Sequence, residues 1–272
     1  MTSTLGYGTL ALYGTSLACY VWHLYSDQRW TGRLATATLA AGLAVHWLAL
    51  LERARELDSV PYQDLYGSMS LFAWLLGLTY LGVEAFHRQR SVGPFVLPVV
   101  MGLMVVATLL APAEIPPPPE KAHGVLFALH VTLSILGYSA FALAFVMSLI
   151  YLAQNRLLRD RKLDNVFWKF PALELLERMS RSSVIVGMAS MVVGTVLGFV
   201  WAHRIQGAAW NADAKEVVTI AILALYGIYL WLGRTTTWRG ARAAVVCVAN
   251  FVIVVFSYTI VNLYLSKYHR FF

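Results

Sequence analysis

Apolar runs of about 20 residues recur from one end of this chain to the other, and that is the length an α-helix needs to cross the hydrocarbon core of a bilayer. Hydrocarbon offers no partner to an unpaired backbone N–H or C=O. A chain built from such runs therefore spans the membrane as helices that satisfy their own backbone. Eight runs predict eight spans, at roughly 5–25, 34–52, 66–86, 94–111, 123–153, 183–203, 215–233 and 241–265. The expected fold class is all-α, a polytopic membrane protein with a single integral-membrane domain over residues 1–272. Composition agrees. Charged residues make up 13% of the chain, about half the share of a soluble domain, and mean hydropathy is +0.63. The opening stretch MTSTLGYGTLALYG lacks a basic n-region and a cleavage site, so it reads as the start of the first span and not as a removable signal.

Net charge is +7. No basic motif interleaved with aromatics accompanies it, so nucleic acid is not an expected partner; the excess follows the positive-inside pattern instead. Loops after spans 1, 3, 5 and 7 hold 14 of the 21 Lys and Arg, and the opposite face holds 7. That asymmetry puts both termini on the extracytoplasmic side, in a bacterial cytoplasmic (inner) membrane with lipid as the solvent. The two cysteines, Cys19 and Cys247, each fall inside an apolar run and form no CxxC. They read as small buried side chains.

Two connectors have distinct character. APAEIPPPPEKAH, 111–123, carries four consecutive prolines and reads as a stiff extended spacer. The basic stretch RKLDNVFWKFPALELLERMSR brings Val166, Phe167, Phe170, Leu173, Leu176 and Met179 to one face, which predicts an interfacial amphipathic helix over about 163–180.

Ionisable side chains inside spans are costly, so intramembrane histidines are functional candidates. Of the seven histidines, His130 lies roughly 10 Å below the outer end of span 5, and His46 roughly 9 Å below the outer end of span 2. Their matching depths suggest one pair facing one cofactor. His269 follows span 8 on the same side, whereas His123 and His203 read as solvated and His23 and His87 as interfacial. Three histidines converging on the outer leaflet beside an aromatic-rich loop suit haem iron, which neutral imidazole ligates well. Zinc would want Cys, Asp or Glu beside them, and the spans supply no such set.

That loop is VWAHRIQGAAWNADAKEV, 200–217. Asp213 can cap the helix that follows, and Glu216, three positions on, can complete a capping box. Capping does not account for Trp201, Gly207 and Trp210 just before it.

The segment 198–230 resembles the tryptophan-rich WWD segment of the cytochrome c assembly superfamily, which includes CcsA, CcmC and HemX, with Trp201, Ala202, Gly207, Trp210, Asp213, Lys215 and Glu216 matching its pattern. VPYQDLYGSMSLFAWLL, 60–76, is similar to another family segment, with Asp64 and Gly67 standing for its Asn and Glu. LHVTLSILGYSAFALAFVMSLIYL and NLYLSKYHRF resemble the helix and the terminal segment that carry the family's two outer histidines. The resemblance implies haem b ligated by His130 and His269, with Trp201, Trp210 and Asp213 lining the porphyrin edge and Gly207 shaping the loop. The depth argument pairs His46 with His130 instead, so the ligand candidates rank His130, His269, His46. Gln206, Ala212 and Ala214 depart from the family's Trp, Trp and Pro. The chain's size and eight spans are closer to the HemX-like and YpjD-type branch, for which the resemblance implies a haem-linked or regulatory accessory role and no defined reaction. The first reading is a membrane haem-binding and haem-handling protein. A subunit of a cytochrome c haem lyase working on an apocytochrome is one alternative; a haem-free accessory subunit of another membrane protein, such as a transporter, is the other.

Overall fold

The computed structural model describes residues 4–26, 28–57, 60–62, 64–110, 124–161 and 169–266. Among them the structure is helical throughout, with no strand. Eight α-helices follow in order: α1 (Thr4–Tyr25), α2 (Arg29–Glu56), α3 (Leu65–His87), α4 (Gly93–Leu109), α5 (Val125–Arg159), α6 (Leu173–Gln206), α7 (Ala214–Leu232) and α8 (Ala241–Phe256). A 3₁₀ turn at Thr236–Trp238 precedes α8, and a π-helix, Ser257–Leu265, continues α8 directly. By length and composition, α2, α3, α5, α6, α7 and α8 with the start of its π-helical continuation are each able to cross a membrane; α4 is apolar but only 17 residues long. The chain is a multi-pass membrane protein.

The interfacial helix expected at 163–180 falls partly outside the described residues. Residues 162–168 lie outside the described residues, as does the proline connector at 111–123. From Leu173 onward the chain is already α6, which runs unbroken for 34 residues. Pro171 separates the two parts, because the residue before a proline is pushed out of helical conformation. Phe170, expected at a lipid surface, packs its ring on Phe95 of α4 at 5.4 Å, and the Lys169 ammonium sits 4.8 Å over the Tyr25 ring.

The chain divides into two compact units: Met1–Pro118 with Leu157–Ala172, and Pro119–Arg156 with Leu173–Phe272. In the first, α1 packs against α2 and α4, and α3 against α2 and α4. Tyr13, Tyr20, Leu39, Leu76, Tyr80 and Leu97 fill its core. Two buried charges there, on Glu84 and Arg53, are paired, which offsets the cost of a low-dielectric interior. Glu84 accepts from the Tyr20 hydroxyl at 2.5 Å and lies 3.4 Å from Arg90 Nε. Arg53, fully buried at the end of α2, forms an ion pair with Asp64 and donates to the Pro61 carbonyl at 3.1 Å. Asp64 is also the N-cap of α3, accepting from the Gly67 amide at 2.9 Å.

In the second unit α5 and α6 approach closely at glycines, the usual means by which membrane helices gain packing contact. A Cβ at Gly187 would lie 2.5 Å from the Phe141 ring and 3.0 Å from the Gly137 carbonyl. Phe141 stacks flat on Tyr226 of α7, with centroids 3.8 Å apart. α7 packs against α6, α8 and the π-helical segment.

Candidate functional site

The site lies at the end of the second unit where α5 begins, α6 ends and α7 begins. His130 sits in the second turn of α5, half-buried. Its Nδ1 lies 2.7 Å from the Gly194 carbonyl on α6. A carbonyl only accepts, so Nδ1 carries the proton and Nε2 carries the lone pair. That is the tautomer of a metal-ligating imidazole, oriented by a hydrogen bond at its other nitrogen. Gly198 makes room for the ring: a Cβ there would lie 2.5 Å from both Cε1 and Nδ1 of His130. A side chain at 198 would drive the imidazole away from Gly194.

One turn further along each helix, Phe127 and Trp201 meet with centroids 5.2 Å apart. Trp201 is half-buried, and its indole N–H is sealed from water with no hydrogen-bond partner. A buried donor without an acceptor costs about 1–3 kcal/mol, so this group has unmet capacity to bond a ligand. α6 ends at Gly207, whose φ of +79° lies in the left-handed region and whose amide closes the last turn on His203. Trp210 is exposed and meets Phe199 edge-on at 6.0 Å. Ala212 also has positive φ, +52°, where a Cβ is strained, and it turns the chain into α7.

The capping box at α7 is present as the sequence predicts. Asp213 is the N-cap, and the Glu216 carboxylate accepts from the Asn211 amide at 3.0 Å and the Asp213 amide at 3.3 Å. Asp213 is buried, and its Oδ2 also accepts from the Ser266 hydroxyl at 2.6 Å. Its oxygens are thus directed at protein partners as well as toward the loop. Lys215, which sequence reasoning treated only as part of the motif, is buried too. Its ammonium donates to Ser257 Oγ at 3.1 Å and to the Ser257 carbonyl at 3.3 Å. It lies 5.1 Å from the Tyr138 ring and 5.9 Å from the Tyr258 ring.

His46 differs from His130 in kind. It belongs to the first unit and is fully buried. Tyr13 hydroxyl lies 3.0 Å from its Nδ1 and Ser70 hydroxyl 2.9 Å from its Nε2, so both ring nitrogens are engaged by protein. Binding iron would require one of these bonds to break. The depth-matched pair of His46 and His130 falls on two separate units. His269 and His123 lie outside the described residues. His203 is exposed, His23 bonds Thr31 at 3.0 Å, and His87 packs edge-on against Phe86. Cys19 and Cys247 are buried and unbridged.

Gly194, Gly198, Phe127, Ser257 and Ser266 complete this arrangement without a local motif. The available signals were the i, i+4 glycine pair on α6 and a phenylalanine one turn before His130. Neither says which helix it will face.

Comparison with known proteins places this geometry. Residues 62–269 match the family model described as Cytochrome C assembly protein. Protein HemX of Brevibacillus brevis is 25% identical over 82% of this chain and 82% of its own. Cytochrome c biogenesis protein CcsA of Synechococcus sp. (strain CC9902) is 26% identical over 97% of this chain and 94% of its own, and Protein HemX of Bacillus subtilis (strain 168) 24% over 98% and 97%. Among solved structures, Cytochrome c Heme Lyase CcmF shares the fold, with a TM-score of 0.63 at 17% identity. The match covers 94% of this chain and 46% of that longer one. With the family model spanning most of its length, from the first residues of α3 through the tryptophan loop to the C-terminal segment, this chain belongs to the cytochrome c assembly protein family.

Proposed function

We propose that this protein binds haem b at the end of its second unit and handles it in cytochrome c biogenesis, with His130 as an axial ligand. The observation that carries the reading is the His130 Nδ1 bond to the Gly194 carbonyl, which orients the ring and leaves the lone pair on Nε2. The surroundings fit a porphyrin. Phe127, Trp201, Phe199 and Trp210 offer aromatic surface, and the buried Trp201 N–H has no acceptor of its own. Bound haem would supply a redox-active iron and the vinyl groups to which cytochrome thiols add.

His269 is our second ligand. It lies three positions beyond Ser266, a length of about 10 Å at full extension, and Ser266 is bonded to Asp213 in the tryptophan loop. His46 ranks third, because both its nitrogens are already engaged. Gly207 shapes the end of α6, and Trp201 and Trp210 supply contact area. We place the chain in a bacterial inner membrane with eight spans and both termini outside, following its Lys and Arg asymmetry. Its partners in this reading are haem, lipid, and an apocytochrome or a second membrane subunit.

The relatives named as cytochrome c biogenesis proteins favour a second reading, a subunit that presents haem to an apocytochrome. Against it stand Gln206, Ala212 and Ala214, which remove two tryptophans and a proline from the loop pattern.

An absorption spectrum of the detergent-purified chain, oxidised and dithionite-reduced, tests the proposal. A Soret band with sharp reduced α and β bands, lost in His130→Ala, is expected. A colourless protein after haem is supplied would overturn it in favour of a haem-free accessory role. Haem attachment to a co-expressed apocytochrome would establish the second reading.

A further inference from the structure

The start of α7 holds the π-helical segment at both of its ends. Lys215 bonds Ser257, the first π-helical residue, through both hydroxyl and carbonyl. Asp213, two residues earlier, accepts from Ser266, the residue that caps the segment. π-Helices are rare and are mostly single-turn bulges; this one runs for nine residues. Its geometry therefore calls for support from outside the segment. Lys215 is a costly way to supply it. The residue is 8% exposed, and its ammonium's partners are neutral: one serine and two tyrosine faces. Burying a cation on neutral partners is unfavourable unless every proton is used. A leucine at 215 would pack at less cost, so placing a charge there points to a task beyond filling space.

We propose that Asp213 and Lys215 are positioning residues: together they clamp the π-helical segment Ser257–Leu265 to the start of α7, so that the chain leaving Ser266 departs from beside the tryptophan loop. The clamp stands on the observed bonds. Its consequence for iron rests on the reading of His269 as a ligand given above. Capping explains Asp213 and Glu216, but it does not use the lysine side chain. The clamp gives the Asp-Ala-Lys spacing a reason: one residue begins the helix, and the next-but-one reaches across to α8.

Hydrogen–deuterium exchange on the full-length protein in detergent, with no haem added, tests the clamp alone. Lys215→Met should raise exchange in peptides covering 257–266 by about tenfold or more, leave peptides from α1–α4 unchanged, and be reversed in Lys215→Arg. Ser266→Ala, a milder change, should loosen only the last turn. Wild-type exchange in both Lys215→Met and Ser266→Ala would overturn the clamp. Titration with ferric haem then reads the consequence. Lys215→Met should bind it with a five-coordinate spectrum that added imidazole returns to the wild-type six-coordinate form. A six-coordinate spectrum in the mutant without imidazole would overturn the positioning role. If wild type binds no haem, the functional reading falls while the exchange result still decides the clamp.

Discussion

The Nδ1 of His130 and the carbonyl of Gly194 lie 2.7 Å apart across the α5–α6 interface, and Gly198, one turn further along α6, is what lets the imidazole reach there. Gly198→Ala would place a methyl group 2.5 Å from the ring. We expect it to cost about 1–3 kcal/mol in stability by overpacking. Haem affinity should fall about 10–100-fold because the orienting bond is lost, although residue 198 touches no iron. Thermal unfolding and a haem titration check both. Wild-type affinity in a folded Gly198→Ala protein would show that the bond to Gly194 does not position the ligand.

His46 provides the contrast. His46→Ala leaves the hydroxyls of Tyr13 and Ser70 without their ring partner in a fully buried setting, at about 1–3 kcal/mol each. The expected outcome is a lower melting temperature with the haem spectrum of the wild type. A spectrum that loses its low-spin form in His46→Ala alone would restore His46 as a ligand.

Arg53 and Asp64 are both buried, and Asp64 serves the α3 N-cap as well as the ion pair. Asp64→Ala should cost about 3–5 kcal/mol by stranding a buried guanidinium. Asp64→Asn keeps the cap and should cost less. Equal melting temperatures for the two variants would mean that the cap contributes nothing and that loss of the ion pair alone sets the cost.

Gly207 ends α6 at a φ of +79°, with open space around the position of a Cβ. Gly207→Ala should therefore cost about 1 kcal/mol, from backbone conformation alone, and leave haem affinity unchanged. A large loss of affinity at unchanged stability would instead mean that the ligand approaches the backbone at this glycine.

Much of this architecture is legible along the chain because membrane crossing imposes a one-dimensional signal. The eight apolar runs coincide with eight helices, since length and hydropathy are local properties, although α6 begins at Leu173, ten residues before the expected 183, and α5 runs on to Arg159. The capping box at Asp213 and Glu216 is likewise local: the spacing of two acidic residues suffices for it. Where the interfacial helix was expected at 163–180, the described residues from Leu173 onward belong to α6.

The difference between the two histidines weighed as ligands is visible only in three dimensions. His46 and His130 look alike in sequence, each within an apolar run at similar depth. His46 meets two hydroxyls from other helices, and the Nδ1 of His130 meets a carbonyl on α6. Nothing within a few residues of either encodes that difference, because each partner comes from a helix at least 24 residues away in the chain. The same holds for Lys215, whose position in the motif was plain but whose acceptor, Ser257, lies 42 residues on. The sequence by itself determined the helices and their caps, through local backbone energetics and the cost of hydrocarbon burial. The tertiary structure decided the tautomer, the clamp and the separation into two units, because these depend on which helix faces meet.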